Sequence, residues 1–196
     1  MYVVVGGLAK KANVGTLVRS ACAFGATELL VIGTKKVNYF GNHGTVRYLP
    51  ARPFASFDDC KACGSPSVLT DAPGIHVCGI EIVPEAESVI KAPFRGDTAF
   101  LVGEEGAGLT DKQRAICDHY VYIPHYGNGT ASLNVSCAGS IVLQHFAVWG
   151  AFAEHKRSET LEKFEVLPID VEKLKSSAVA EAKRAARAAK RAASGA

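Results

Sequence analysis

The sequence predicts an α/β fold, a mainly parallel sheet with helices on both faces. Three observations carry this. Short aliphatic runs recur, as at residues 2–5, 28–32 and 98–102, in the pattern of strands buried on both faces. Stretches with apolar residues at helical spacing lie between them. Glycines stand where those strands and helices should end.

The elements follow in order. Tyr2-Val3-Val4-Val5 is a β-branched run closed by Gly6 and Gly7, hence a buried strand. Asn13 is placed to cap a helix running to Phe24, with Val14, Leu17, Val18, Ala21 and Phe24 as its inner stripe. Gly25 should stop that helix. Residues 28–32 form the next strand, and residues 35–52 a polar, glycine-punctuated loop that holds Tyr39 and Phe40. A short helix over 53–63 and a strand over 67–70 are expected next, and residues 74–93 read as a strand with a weak helix. Residues 98–102 are a strand, 110–116 a short helix and 120–123 a further strand. Residues 133–152 form a long helix, apolar almost all round and therefore expected to be buried.

The chain has 196 residues, 48% of them hydrophobic, enough for one core. Its longest apolar stretch, residues 141–153, is broken by Gln144 and His145 and is too short to cross a bilayer. No charged leader precedes the first strand. A soluble intracellular protein, cytoplasmic or nuclear, with no membrane partner is the expectation. The net charge of +3 is uneven. From Asp170 onward, seven basic residues face three acidic ones, leaving +4 on the tail and −1 on the rest. We therefore divide the chain into a domain over 1–155 and, over 156–196, a charged linker with a basic, Ala/Lys/Arg-rich helical tail. Lys183, Arg187 and Lys190 fall at helical spacing in that tail, as an arm for a polyanion would have them. Cys60 and Cys63 form a lone C-x-x-C with no second pair or spaced histidines, so no metal site is expected. Cys22 and Cys137 read as small core residues inside apolar helices.

Three glycine-containing segments bear the chemistry. The first runs from Asn13 through Gly15 and Arg19 to Gly25, with Arg19 off the apolar stripe. By spacing alone, Arg19 is a surface charge. The second is Leu101-Val-Gly-Glu-Glu-Gly-Ala-Gly-Leu-Thr110. A strand ending in such a turn is where ligands sit in open α/β sheets. It matches neither a dinucleotide fingerprint nor a P-loop, and Glu104 and Glu105 disfavour phosphate. A cationic or hydroxyl-bearing ligand suits them. The third runs from Ile123 to Ser136 and places Ser132, Asn134 and Ser136 in the first turns of the long helix, as caps or as ligand contacts.

Together these segments resemble the three motifs of the SpoU/TrmH family of RNA ribose methyltransferases, in the SPOUT superfamily. The first matches at Asn13, Gly15, Arg19, Ala21, Ala23, Phe24 and Gly25. The second matches at Gly103, Glu105, Gly106, Gly108 and Leu109. The third matches at Ile123, Pro124, Gly127, Ser132, Leu133, Asn134, Val135 and Ser136. The resemblance covers about residues 1–153. It implies a C-terminal deep trefoil knot and a homodimer packed through the knotted region. It implies S-adenosyl-L-methionine as cofactor, with Gly103, Ile123 and Leu133 making backbone contacts to it and Glu105 and Ser132 beside it. It implies methylation of a ribose 2′-hydroxyl, with functional polar residues at Asn13, Arg19, Glu105, Ser132 and Asn134. The RNA is expected to be tRNA before rRNA, met by Arg19, His43, Arg47 and the tail residues Lys183, Arg187 and Lys190. The sequence departs from the family at Glu104, where asparagine is usual, and at His125, where methionine or glutamine is common. His125 is a candidate acid–base group; His43 reads first as an RNA contact. Two other classes remain open: a non-catalytic RNA-binding module of the same fold, and a SPOUT base methyltransferase.

Overall fold

The computed structural model describes residues 1–6, 11–33, 41–56, 75–104, 106–157 and 164–166. Seven strands form one sheet: β1 (Tyr2–Gly6), β2 (Glu28–Ile32), β3 (Ala51–Phe54), β4 (His76–Ile80), β5 (Glu87–Ser88), β6 (Thr98–Val102) and β7 (His119–Tyr122). Their order is β3-β2-β1-β6-β4-β7-β5, and every pairing is parallel. Among the described residues, three α-helices accompany them: α1 (Lys11–Ala23), α2 (Asp111–Arg114) and α3 (Val135–Trp149).

Alternation along the strands sorts the core onto two faces. Val3, Val5, Leu29, Val31, Cys78, Phe100 and Val102 face α1 and α3. Val4, Leu30, Ile32, Val77, Ala99 and Leu101 face the other way, onto Leu109, Ile116 and Cys117 around α2. A sheet covered on both faces needs apolar residues at successive positions, which explains the unbroken β1 and β6 runs. Burial pushes the Cys78 thiol up, and holds the Cys117 thiol up at about 12, so both are inert packing groups.

Helix α1 ends as its sequence requires. Gly25 takes φ +78, its N–H bonds the Cys22 carbonyl at 3.2 Å, and the Ala26 N–H bonds Ala21 at 2.8 Å. This paired closure needs a left-handed residue, for which glycine carries no Cβ penalty. α1 packs on α3 at Gly139, where a Cβ would stand 2.6 Å from the Leu17 Cδ1. Phe94, Phe100, Phe146 and Trp149 fill the far end of that interface, with ring centroids 5.1–5.8 Å apart.

Several expectations need correction. Residues 51–54 form strand β3, so no helix starts at Pro53; Pro53 has no N–H to give and is tolerated because β3 lies at the sheet edge. The bidentate Arg52–Glu28 pair, both contacts 2.9 Å, ties that edge to β2. Helix α1 starts at Lys11, so Asn13 lies inside it and is not its cap. Helix α3 is shorter than residues 133–152 and is not buried all round: Ser136, Gly139, Val142, Leu143 and Phe146 form one inner stripe. Cys137, Gln144 and Val148 lie on the opposite, exposed face, so Cys137 is not a core residue. The expected strand at 67–70, the Cys60/Cys63 pair and Tyr39 and Phe40 lie outside the described residues.

Contacts divide the chain into Met1–Ala153 and Glu154–Ala196. The described part of the second unit shows an antiparallel bridge between Arg157 and Phe164. The tail residues Lys183, Arg187 and Lys190 lie outside the description. Among the described residues, no helix is long and apolar enough to cross a membrane.

Candidate functional site

The carboxyl ends of β4, β6 and β7 open into a cavity of about 350 Å³. That is within the roughly 300–1,000 Å³ of small-molecule sites, and at the sheet edge where open α/β folds hold ligands. Ile80, Glu81 and Ile82 line it from β4, Gly103, Glu104 and Gly108 from beyond β6, and Ile123 and His125 from beyond β7. Ser132, Leu133, Asn134 and Val135 close it at the entry to α3.

The wall after β6 can be built only from glycine. Glu104 and Gly108 exchange both backbone hydrogen bonds, each 3.0 Å, which folds the loop back on itself. A Cβ on Gly103 would overlap the Gly108 carbonyl and stand 2.6 Å from the Leu109 nitrogen. Gly108 takes φ +67, and a Cβ there would overlap the Glu81 carboxylate. Bare backbone therefore faces the cavity. Downstream, Thr110 and Gln113 form a capping box on α2, with the Thr110 N–H donating to Gln113 Oε1 at 2.8 Å. The Arg114 Nε donates to the Leu109 carbonyl at 3.0 Å. These bonds anchor the far end of the loop.

Glu81 was not singled out from the sequence. Its Oε2 accepts the Leu109 N–H at 2.8 Å, and its Oε1 accepts the Ile82 N–H at 3.0 Å. One carboxylate thus joins the end of β4 to the loop after β6. The one sequence signal was an acidic residue just past the end of a strand.

Asn134 caps α3. Its Oδ1 accepts from the Ser136 N–H at 3.0 Å, the Ser136 hydroxyl at 2.6 Å and the Cys137 N–H at 3.4 Å. Its Nδ2 donates to the Asn13 Oδ1 at 3.1 Å. Asn13 is buried and, instead of capping α1, joins α1 to the cavity's α3 wall. Ser20 and Ser140 make a second such link, 2.6 Å between hydroxyls. Ser132 lies ahead of the helix, not in its first turns, and is exposed at the cavity rim.

The structure therefore brings Gly103, Ile123, Ser132, Leu133 and Asn134 to one cavity, with Asn13 bonded behind it. Glu105 lies outside the described residues. Arg19 is exposed on α1 and is not among the cavity-lining residues of its own chain. His43 and Arg47 are exposed as well, and the 3-10 turn Thr45–Arg47 packs against α1. His43 takes φ +51 between two left-handed glycines, Gly41 and Gly44, an uncommon backbone state for a side-chain-bearing residue.

A parallel α/β domain with a glycine-walled, carboxylate-bearing cavity at its strand ends belongs to the open-sheet class, in which ligands sit at that position. Residues 1–144 match the SpoU rRNA Methylase family, and the chain belongs to that family. It is 31% identical over 143 residues to a 23S rRNA (uridine(2479)-2'-O)-methyltransferase of Streptomyces viridochromogenes, a match covering 67% of this chain and 46% of that protein. The SpoU methyltransferase AviRb of the same organism, solved in complex with the cofactor AdoMet, superposes with a TM-score of 0.63 at 27% identity, covering 78% of this chain and 58% of the other. The TrmH/SpoU tRNA modifying enzyme of A. aeolicus superposes at 0.60 and 22% identity, covering 75% and 73%, and shares the fold. The chain spans about half the length of the Streptomyces relative.

Proposed function

We propose that this chain is an S-adenosyl-L-methionine-dependent RNA methyltransferase acting on a ribose 2′-hydroxyl. The cavity carries the proposal. It joins the second and third family segments, offers bare backbone from the glycine loop, and bears carboxylates suited to a ligand with a positive charge and ribose hydroxyls. The residues fit that cofactor: Gly103, Ile123 and Leu133 offer backbone groups and apolar cover, with Ser132 at the rim. When bound, the cofactor would supply an electrophilic sulfonium methyl to a ribose hydroxyl, whose proton would pass to solvent as the neutral thioether leaves.

The chain's residues then have distinct tasks. Asn134 and Asn13 hold α1 against the cavity wall. Arg19 is the residue that stabilises developing negative charge on the ribose oxygen and holds the adjacent phosphate. A guanidinium has no acceptor, so it acts through charge and two-pronged hydrogen bonding and not by taking a proton. Because Arg19 faces solvent, it meets the RNA at the protein surface, as do the exposed His43 and Arg47, before and in the turn that abuts α1. Glu105 belongs to the same group by its place in the second segment. The basic tail adds phosphate contacts through Lys183, Arg187 and Lys190.

The segment from β7 through α3 is proposed to form the trefoil knot, and the protein to act as a homodimer. Exposed Val148 and Trp149 give that dimer an apolar surface. For the substrate, rRNA replaces tRNA as first choice: the 31%-identical relative is named for 23S rRNA, while the tRNA enzyme shares the fold alone. Transfer of labelled methyl to unmodified rRNA and to unmodified tRNA tests this. Label entering rRNA, and lost in Arg19→Ala with cofactor binding intact, is the expected result. Label entering tRNA alone reverses the substrate assignment, and full activity of Arg19→Lys would refute the two-pronged role of Arg19.

A further inference from the structure

We propose that Glu81 and Glu104 make this cavity selective for the charged, methyl-bearing form of the cofactor over its neutral, demethylated product. The inference rests on the cofactor reading of the cavity and adds a basis for exchange. Among the described residues lining the cavity, Glu81 and Glu104 supply all the formal charge; no lysine or arginine faces it, and His125 is its one imidazole.

The two carboxylates sit on neighbouring loops, Glu81 after β4 and Glu104 after β6. Glu81 is half-buried and fixed, each oxygen held by a backbone N–H from a different loop. A carboxylate oxygen accepts more than one hydrogen bond, so those amides leave its charge and spare lone pairs available to a ligand. Glu104 is exposed, and its backbone groups are both committed to Gly108, which holds its Cα at the cavity edge while the side chain stays adjustable. The glycine wall adds no side chain to screen either charge.

The donor and its product differ by one methyl group and one positive charge. Apolar contact distinguishes them weakly, since a methyl changes little buried area. Charge distinguishes them strongly in a partly enclosed site, where the effective dielectric falls well below that of water. A negative cavity therefore attracts the sulfonium form and loses that attraction when the methyl leaves. The product departs from the same contacts that drew the substrate in. Glu81 and Glu104 act here as specificity residues for the cofactor's charge state.

Equilibrium binding of S-adenosylmethionine and S-adenosylhomocysteine to the full chain tests this without turnover. Wild type should bind the sulfonium form more tightly. Glu104→Gln should weaken that form by about three- to ten-fold while changing the product's affinity less than about two-fold. Because its side chain is exposed, its fold should be undisturbed. Glu81→Gln should move the ratio in the same direction, with an added loss for both ligands because one amide loses its acceptor. High salt should narrow the wild-type ratio. An unchanged ratio in both variants, or a wild type that favours the neutral product, would overturn the proposal. Leu133→Arg separates the underlying reading: it fills the cavity and should abolish binding of both ligands. If both still bind that variant, the cavity itself is misassigned.

Discussion

Gly103 is the point where the cavity can be tested by a single methyl group. In Gly103→Ala the new Cβ overlaps the Gly108 carbonyl and stands 2.6 Å from the Leu109 nitrogen. Both neighbours are backbone, and Leu109 is held by the Glu81 carboxylate and by Arg114. No side-chain rotation can relieve the contact, so the Glu104–Gly108 turn must open or β6 must shift. Overpacking of this kind costs about 1–3 kcal/mol. For a domain of this size that corresponds to a fall in Tm of roughly 3–10 °C. Cofactor affinity should fall more than ten-fold, since the wall and not merely the fold is displaced. Two glycines serve as controls. Gly127→Ala meets nothing within 4 Å and should leave both quantities unchanged. Gly33→Ala also has open space, but its φ of +84 should cost about 1 kcal/mol with little effect on affinity, since Gly33 follows β2 and does not line the cavity. Thermal melts and calorimetric titration of the three variants read these outcomes. Gly103→Ala with wild-type Tm and affinity would refute the packing argument and the assignment of this wall to the ligand.

Other predictions follow from the same interactions. Asn134→Ala removes the α3 cap and the Asn13 partner together, so thermal unfolding should show a loss of about 2–4 kcal/mol; Asn134→Asp, which keeps the cap, should recover roughly half. His119 is buried with neither ring nitrogen hydrogen-bonded, and burial, then the nearby Arg95 and His76, hold its pKa below the ordinary 6.5 against the opposing pull of Asp118 and Glu87. The unfolded chain therefore takes up this proton first as pH falls. Stability should be undiminished above pH 6.5 and decline as pH drops from there through the lower folded value; His119→Leu should flatten that acid limb in pH-dependent melts. Truncation after Pro168 should weaken RNA binding and reduce its salt slope by roughly one for each phosphate that the tail no longer neutralises; an identical salt series would remove the tail from the RNA surface.

How far the sequence revealed this depends on local chemistry. Strands β1, β2 and β6 were legible because β-branched runs buried on two faces have few other interpretations. Gly25 was legible because the closure of α1 needs its φ. Strand β3 was hidden by Pro53, which reads as a helix start and is accommodated only because β3 lies at the edge. Asn13 looked like a cap because the stripe of large apolar residues starts just after it, at Val14, yet the helix begins at Lys11 and the Asn13 side chain serves a bond with Asn134, 121 residues away. The one-sided burial of α3 was obscured by Cys137 and Val148, apolar residues on its exposed face. Within the site, the expectation that Gly103, Ile123, Ser132 and Leu133 serve one ligand came from the resemblance of the glycine segments to the family motifs; spacing alone left Ser132 and Asn134 open between caps and ligand contacts. Glu81 was not legible, because β4 and β5 have no clear period and its role arises from a bond across 28 residues.

The central claim is the chemistry of the transferred methyl. Purified protein, S-adenosylmethionine and unmodified rRNA should be incubated, the RNA digested to nucleosides, and the methylated product identified by mass spectrometry against 2′-O-methyl and base-methyl standards. The account predicts one 2′-O-methylnucleoside, absent when Leu133→Arg replaces the wild-type chain. A base-methylated nucleoside, or a 2′-O-methylnucleoside that persists in that variant, would contradict it.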